Sequence, residues 1–238
     1  MDYMDLLSRL GVGSAHPGGF AATRKLLERV GPPAELHILE VGCGTGKTAC
    51  YLAANGYRVT AVDRHPLMLE KARKRAEKEG IAGIEWVPGD VQRLPFDDGT
   101  FDVVIAESVT IFTQIDQTLA EYARVLKPQG RLFDRELVRY KRIPEDMVQE
   151  MKDFLKLERL LSRDEWLSAL RLAGLRVEQP KLESFRSHEA SVEPGDFEEL
   201  DVQTLLDPEI GQGLMQYTQL MLAQEAYFRV CQFEARKP

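Results

Sequence analysis

The run Ile38-Leu39-Glu40-Val41-Gly42-Cys43-Gly44-Thr45-Gly46-Lys47-Thr48 constrains the fold more than any other stretch, because an apolar strand empties into glycines at three alternate positions and then into a helix. Glycine adopts φ > 0 and has no Cβ, so the backbone can turn tightly and let a ligand reach the N–H groups at the helix start. Such a turn is where a nucleotide-like cofactor sits. A phosphate-binding loop would end correctly in Gly46-Lys47-Thr48, but it needs a glycine five residues before Gly46 and finds Val41. A dinucleotide fingerprint needs G-x-G-x-x-G, and here the third glycine comes one residue early.

Tyr57 to Asp63 reads as a second strand ending in an acid, the position from which doubly wound folds accept hydrogen bonds from ribose hydroxyls. An acid, an apolar residue and then Gly-x-Gly-x-Gly, as in Glu40 to Gly46, resemble the cofactor loop of class I S-adenosylmethionine-dependent methyltransferases. Gly89-Asp90-Val91-Gln92-Arg93-Leu94-Pro95-Phe96 matches that family's G-D-x-x-x-L-P-F segment. Phe101 to Ala106 is similar to its fourth strand, and Arg124 to Leu132 to the approach to its fifth, so the resemblance covers residues 38 to about 132 in order. It implies S-adenosylmethionine as cofactor, held on the loop by Glu40, Gly42, Cys43, Gly44 and Gly46. It further implies Asp63, Arg64 and Met68 after the second strand, Asp90 facing the adenine amino group with Val91 on the ring, and Glu107 at the end of the fourth strand. Turn chemistry alone accounts for each glycine taken singly, and Asp63 could merely cap a helix starting at Pro66. Packing alone gives no reason for Glu40, Asp63 and Asp90 to stand at three successive strand ends.

Alternating strands and helices imply an α/β fold: a doubly wound, seven-stranded Rossmann-like sheet, mostly parallel, with an antiparallel last strand. The chain reads as one domain over 1–238, with N-terminal lid helices in 1–30 and a core over 31–183 that carries an insertion at 139–161. A helical insertion over 184–224 and a last strand within 225–238 follow. The expected helices run from Tyr3 to Leu10 and from Phe20 to Val30; another spans Pro144 to Leu157, and one is opened by the capping box Ser162-x-x-Glu165. A further helix starts at Asp207-Pro208, and the last two strands fall at Leu175 to Glu183 and Ala226 to Glu234. The basic run Lys71 to Glu79 reads as a solvated face of a helix whose Met68, Ala72 and Ala76 turn toward the sheet.

Composition excludes several classes. No apolar run approaches the ~20 residues of a membrane helix, and Met1-Asp2-Tyr3-Met4-Asp5 lacks a basic secretory start, so no membrane insertion and a cytoplasmic location are expected. Cys43, Cys50 and Cys231 have neither metal-ligand spacing nor an even count, and read as reduced thiols with no metal site. A formal net charge of −7 opposes a nucleic-acid partner. The partner expected is a small or medium-sized methyl acceptor.

Ligands of open α/β sheets bind outside the carboxyl ends of the strands, so the acceptor pocket should involve Glu107-Ser108, Asp134 to Tyr140 and the N-terminal segment. Glu107-Ser108 resembles a subgroup of small-molecule and lipid methyltransferases that carries a histidine three residues after the serine; here that residue is Ile111. Methyl transfer is an in-line displacement, and a base is needed only if the acceptor must lose a proton. The candidates are His16, Glu107, Asp134, Glu136 and Tyr140, with only some of the last three able to face the pocket because side chains alternate along a strand. His37, His65 and His188 read as structural or surface residues. The glycine-rich segment Ser14 to Phe20 reads as a lid, with His16 directed at the methionine end of the cofactor or the acceptor and Phe20 as an apolar wall. Two alternatives stand beside this reading: a P-loop nucleotide hydrolase, which leaves Asp63 and Asp90 unexplained, and a non-catalytic cofactor-binding regulator.

Overall fold

The computed structural model describes residues 3–33, 35–178, 180–184 and 202–238. Strands β1 (His37–Val41), β2 (Arg58–Asp63), β3 (Glu85–Pro88), β4 (Phe101–Glu107) and β5 (Leu126–Arg139) alternate with helices α3 (Lys47–Ala54), α4 (Pro66–Lys78) and α5 (Ile115–Val125). Two helices precede them, α1 (Tyr3–Leu10) and α2 (Gly19–Leu27); α6 (Glu145–Leu155), α7 (Arg163–Leu172), β6 (Arg176–Val177), β7 (Lys181–Ser184), α8 (Pro208–Gln224) and β8 (Phe228–Arg236) follow. The sheet order is β3-β2-β1-β4-β5-β8-β6, with β7 also paired to β8. β1 through β5 run parallel, and β8 lies antiparallel against β5.

Both faces of the sheet's central strands are dry, as a parallel sheet requires. Leu39, Val41, Val104, Ala106 and Leu132 belong to one apolar cluster, while Ile38, Val59, Val103, Ile105 and Phe133 belong to the other. The alternation along each strand is the period of two that sends successive side chains to opposite faces. The chain leaves β1 toward β2 on one side and later re-enters at β4 on the other, so the loops after β1 and β4 diverge and open a crevice between them.

The structure corrects two of the expected elements. The strand expected over Leu175 to Glu183 is one lane in two pieces, both paired to β8, because Pro180 stands between them without an N–H to donate. The basic face of α4 is not wholly solvated: Arg75 is buried, with Nε donating to the Thr45 carbonyl at 3.0 Å. Lys71 donates to the carbonyls of Ser8 and Arg9 at 3.0 and 3.1 Å, closing the C-terminus of α1. His188 lies outside the described residues, as do residues 185–201 of the insertion. The capping box is formed as expected, Ser162 receiving the Glu165 N–H while the Glu165 carboxylate accepts from the Ser162 backbone. Among the described residues no helix is long and apolar enough to cross a membrane.

α1 is packed from two sides. Tyr3 stacks on Tyr217 of α8 with centroids 5.1 Å apart and on Phe112 at 5.8 Å, and Arg9 pairs with Asp207. Its Leu6 and Leu10 sink into the larger apolar cluster.

Gly46 starts α3 at φ +75, and a Cβ there would lie 2.7 Å from Trp86 and 2.8 Å from the Ala72 Cβ. Gly46→Ala should therefore cost about 2–4 kcal/mol, the left-handed backbone penalty plus overpacking. Gly44→Ala, whose Cβ would meet nothing within 4 Å, should cost only about 1–2 kcal/mol. Thermal unfolding of the two variants checks the difference.

Candidate active site

A cavity of about 290 Å³ opens at the carboxyl ends of β1, β2 and β4. Glu40 at the end of β1 lines it with Gly42, Cys43 and Gly44 of the loop after it. Asp63, Arg64, His65 and Met68 line it from the end of β2 and the start of α4, and Asp90 and Val91 after β3 and Glu107 at the end of β4 complete this side. Asp63 joins two loops: one oxygen accepts the Gly44 N–H at 2.9 Å and the other the His65 N–H at 2.8 Å. Burial raises its pKa, and those two hydrogen bonds pull the other way. Asp90 is exposed and turned by its own bonds to the Gln92 N–H at 2.9 Å and to the Gln92 side chain. Gly42, at φ +60, lies under Val109, and a Cβ there would collide with both valine methyls.

Negative charge gathers at the inner end. Glu40 is buried, its pKa well above the usual carboxylate range because of burial and then because Glu107 and Asp63 stand close. Its Oε2 has no hydrogen-bond partner. Carboxylates placed this way gain from a positively charged ligand, since the protein charges acting on Glu40 are themselves negative.

His16 and Glu107 meet through a third residue that sequence reasoning missed. Thr23, fully buried on α2, donates its hydroxyl hydrogen to Glu107, with oxygens at 3.1 and 2.9 Å. His16 Nε2 lies 3.2 Å from the same hydroxyl and 3.7 Å from Glu107. A hydroxyl has one hydrogen, and a carboxylate can only accept. Thr23 therefore accepts from His16, which puts the ring hydrogen on Nε2 and leaves a bare lone pair on Nδ1. That Nδ1 is buried without a partner, and His16 lines the cavity. Met4, Leu7, Val12, Val109 and Phe112 supply apolar lining at the same cavity.

Other expected positions are corrected. Tyr140 is not at the cavity: it is 51% exposed beyond the end of β5, its ring under the Arg229 guanidinium at 4.2 Å. Gly46 does not line the cavity, because its role is the close packing on Trp86 and Ala72. Phe20 packs edge-on against Tyr51 and beneath the Lys47 ammonium at 4.6 Å, so it is no wall of the pocket. His65, expected as a structural or surface residue, is the N-cap residue of α4 and also lines the cavity, and His37 is bonded to Thr60 at 2.9 Å. Asp134 and Glu136 are fully buried behind the cavity lining. Burial pushes Asp134 up to about 7, and burial with the charge of Asp134 raises Glu136 well above its ordinary value. No sequence signal marks Thr23, since a threonine on an amphipathic helix reads as neutral until its neighbours in space are known.

A family model for a methyltransferase domain matches residues 39–134. A Bacillus subtilis protein, uncharacterized methyltransferase YodH, is 37% identical over 240 residues, covering 99% of both chains. The ubiquinone/menaquinone biosynthesis C-methyltransferase UbiE of Zymomonas mobilis is 41% identical over 105 residues, 44% of this chain and 43% of that one. The fold is that of Haemonchus contortus phosphoethanolamine N-methyltransferase 2, solved in complex with S-adenosyl-L-methionine, at a TM-score of 0.79 and 23% identity over 99% of this chain and 57% of that one. The phosphate-loop reading of Gly46-Lys47-Thr48 falls with these matches.

The hydrogen-bond arithmetic at Thr23 has a spectroscopic consequence. Nitrogen-15 spectra of the neutral ring should show His16 protonated at Nε2 alone, and Thr23→Val, which removes the acceptor but keeps the shape, should mix the two tautomers. A wild-type ring already mixed would contradict the arrangement.

Proposed function

Because the chain belongs to the class I S-adenosylmethionine-dependent methyltransferases, we propose that its cavity holds that cofactor along the Gly42–Gly44 backbone and presents an apolar small molecule to His16. The fit of the cofactor is supported by the buried, unpartnered Glu40 oxygen among three carboxylates, a surrounding that suits a ligand carrying a sulfonium and an ammonium. In this reading Glu40 faces the cationic end, Asp63 accepts from the ribose hydroxyls, and Asp90 takes the adenine amino group. Met68 and Val91 flank the base, while Cys43 and the rim residue Arg64 complete the lining. Bound there, the cofactor supplies a methyl group on a positively charged sulfur. The remaining work belongs to the protein. Holding two reactants close and aligned can be worth ~7–11 kcal/mol.

The observation that carries the acceptor chemistry is the free Nδ1 of His16. It is oriented by Thr23 and backed by Glu107, so a proton taken from the acceptor becomes an imidazolium stabilised by the carboxylate 3.7 Å away. The apolar lining favours an acceptor with a hydrocarbon body over one bearing a phosphate. α1 and the segment Ser14 to Phe20 act as the lid, since Met4, Leu7, Ser14 and His16 all line the cavity. The three cysteines, free and buried, support a reducing, cytoplasmic setting.

Calorimetry with S-adenosylhomocysteine should show binding to the wild type and a loss of about 1.5–3 kcal/mol in Asp63→Ala, the value of a charge-assisted hydrogen bond. Unchanged affinity would move the ribose elsewhere. Labelled S-adenosylmethionine and fractionated cell extract should identify the acceptor. With it, His16→Ala should lower kcat by roughly 10²–10⁴ while leaving the homocysteine product's Kd within a few fold. Full turnover by that variant would remove the base from the mechanism.

A further inference from the structure

We propose that the buried carboxyl pair Asp134 and Glu136 is a positioning element for methyl transfer, which sets the loop after β4 and, through Val109, the backbone of the cofactor loop at Gly42. The proposal rests on the reading of the cavity as the cofactor site. Ser108 leaves β4 at φ +56, a left-handed conformation unfavourable for a residue with a Cβ, so something must hold it there. The Ser108 N–H donates to the Arg135 carbonyl at 2.8 Å. The next two N–H groups, of Val109 and Thr110, converge on one oxygen, Glu136 Oε1, at 3.0 and 2.8 Å. The Thr110 hydroxyl then donates to Asp134 Oδ2 at 3.1 Å. The whole turn hangs from three consecutive residues of β5.

Asp134 and Glu136, two apart on one strand, face the same way, and both are fully buried. Among the described residues, the titratable groups that face them are Tyr122 of α5, whose hydroxyl lies 3.4 Å from the Thr110 hydroxyl, and Cys231 of β8, opposite Glu136 in register. Neither is a cation. Arg135 between them points away, its Nε donating to the Pro17 carbonyl and its guanidinium paired with Glu183. Two acids in such a site hold a proton between them, and the oxygens without another partner, Asp134 Oδ1 and Glu136 Oε2, are the ones available to share it. The shared proton leaves Oε1 free to accept both N–H groups. Losing it would place two negative charges side by side and loosen the turn. Val109 carries that movement to the cofactor loop, because its methyls fill the space that a Cβ on Gly42 would take.

The pKa of each carboxyl is raised, so the intact turn is the state below the pair's titration and is lost as pH rises through it. The test is S-adenosylhomocysteine affinity by calorimetry from pH 6 to 9 in the full chain. Wild-type Kd should weaken on the order of tenfold across that range relative to Glu136→Gln, whose carbonyl accepts the same N–H groups but cannot titrate. The ligand's own titration is common to both proteins and cancels in the ratio. Glu136→Leu should weaken binding on the order of tenfold or more at pH 6, and Val109→Ala should erase most of that further loss in the double variant, since the effect passes through Val109. If Glu136→Leu does not fold, Asp134→Asn takes its place beside Glu136→Gln in the pH series, and both should be flat. Parallel pH curves for wild type and Glu136→Gln, or additive Glu136→Leu and Val109→Ala effects, would overturn the positioning role. Failure of the wild type itself to bind would instead overturn the cofactor reading.

Discussion

Asp63 ties together the two loops on which the site depends. Its carboxylate sits at the end of β2, where the register against β1 sets Val62 beside Val41, and it accepts one N–H from each crossover, Gly44 from the first and His65 from the second. Those two bonds fix where α3 and α4 begin, and both helices start toward the same crevice. A neutral side chain of the same length would satisfy the donors less strongly, since hydrogen bonds to charged groups are worth about 1.5–3 kcal/mol against roughly 1 for neutral ones. Burial opposes that charge, and the two backbone partners offset the cost only in part.

The crevice that results has two chemical halves. Glu40, Asp63 and Glu107 gather the acids in one part, where Glu107 and Asp63 add to the burial that makes Glu40 hard to ionise. α1 and the turn after β4 make the other part apolar, through Met4, Leu7, Val109 and Phe112. His16 and Glu107 stand among both sets of lining residues, and Thr23 links them. A cation and an uncharged partner thus have complementary surroundings in one cavity, which is the requirement of a transfer from a sulfonium to an organic acceptor.

What was legible in the sequence follows from how local the cause is. β1 to β5, the loop glycines and the acids at strand ends could be read because strand periodicity and turn chemistry are written in neighbouring residues, and the capping box of α7 is a four-residue signal. Tyr140 and Gly46 stand off the cavity lining for one reason: proximity to a motif does not say which face of the backbone a residue presents. Gly46 is a glycine for Trp86 and Ala72, which come from β3 and α4. Arg75 lies in a charge run that reads as solvated, yet the Thr45 carbonyl it serves is 30 residues away in sequence. Thr23 and Glu136 owe their surroundings to the packing of α2 against β4 and of β5 against the turn, contacts that a one-dimensional pattern does not carry.

The place of β8 has a consequence for how the chain is made. It follows β5, β6 and β7 in sequence but lies between β5 and the other two in the sheet. A nascent chain that has emerged only through β7 therefore exposes the open edge of β5, with β6 and β7 lacking the strand they pair with, and the ring of Trp166 without Phe233 beside it. Unpaired strand edges of that kind invite association with other chains. The left half of the sheet, with its glycine turn and Asp63, can close during synthesis, while the half that carries Asp134 and Glu136 stays wet until β8 arrives. The glycine turn and the buried pair that sets its neighbour at Val109 would then take shape at different moments, separated by the time a ribosome needs to deliver β8.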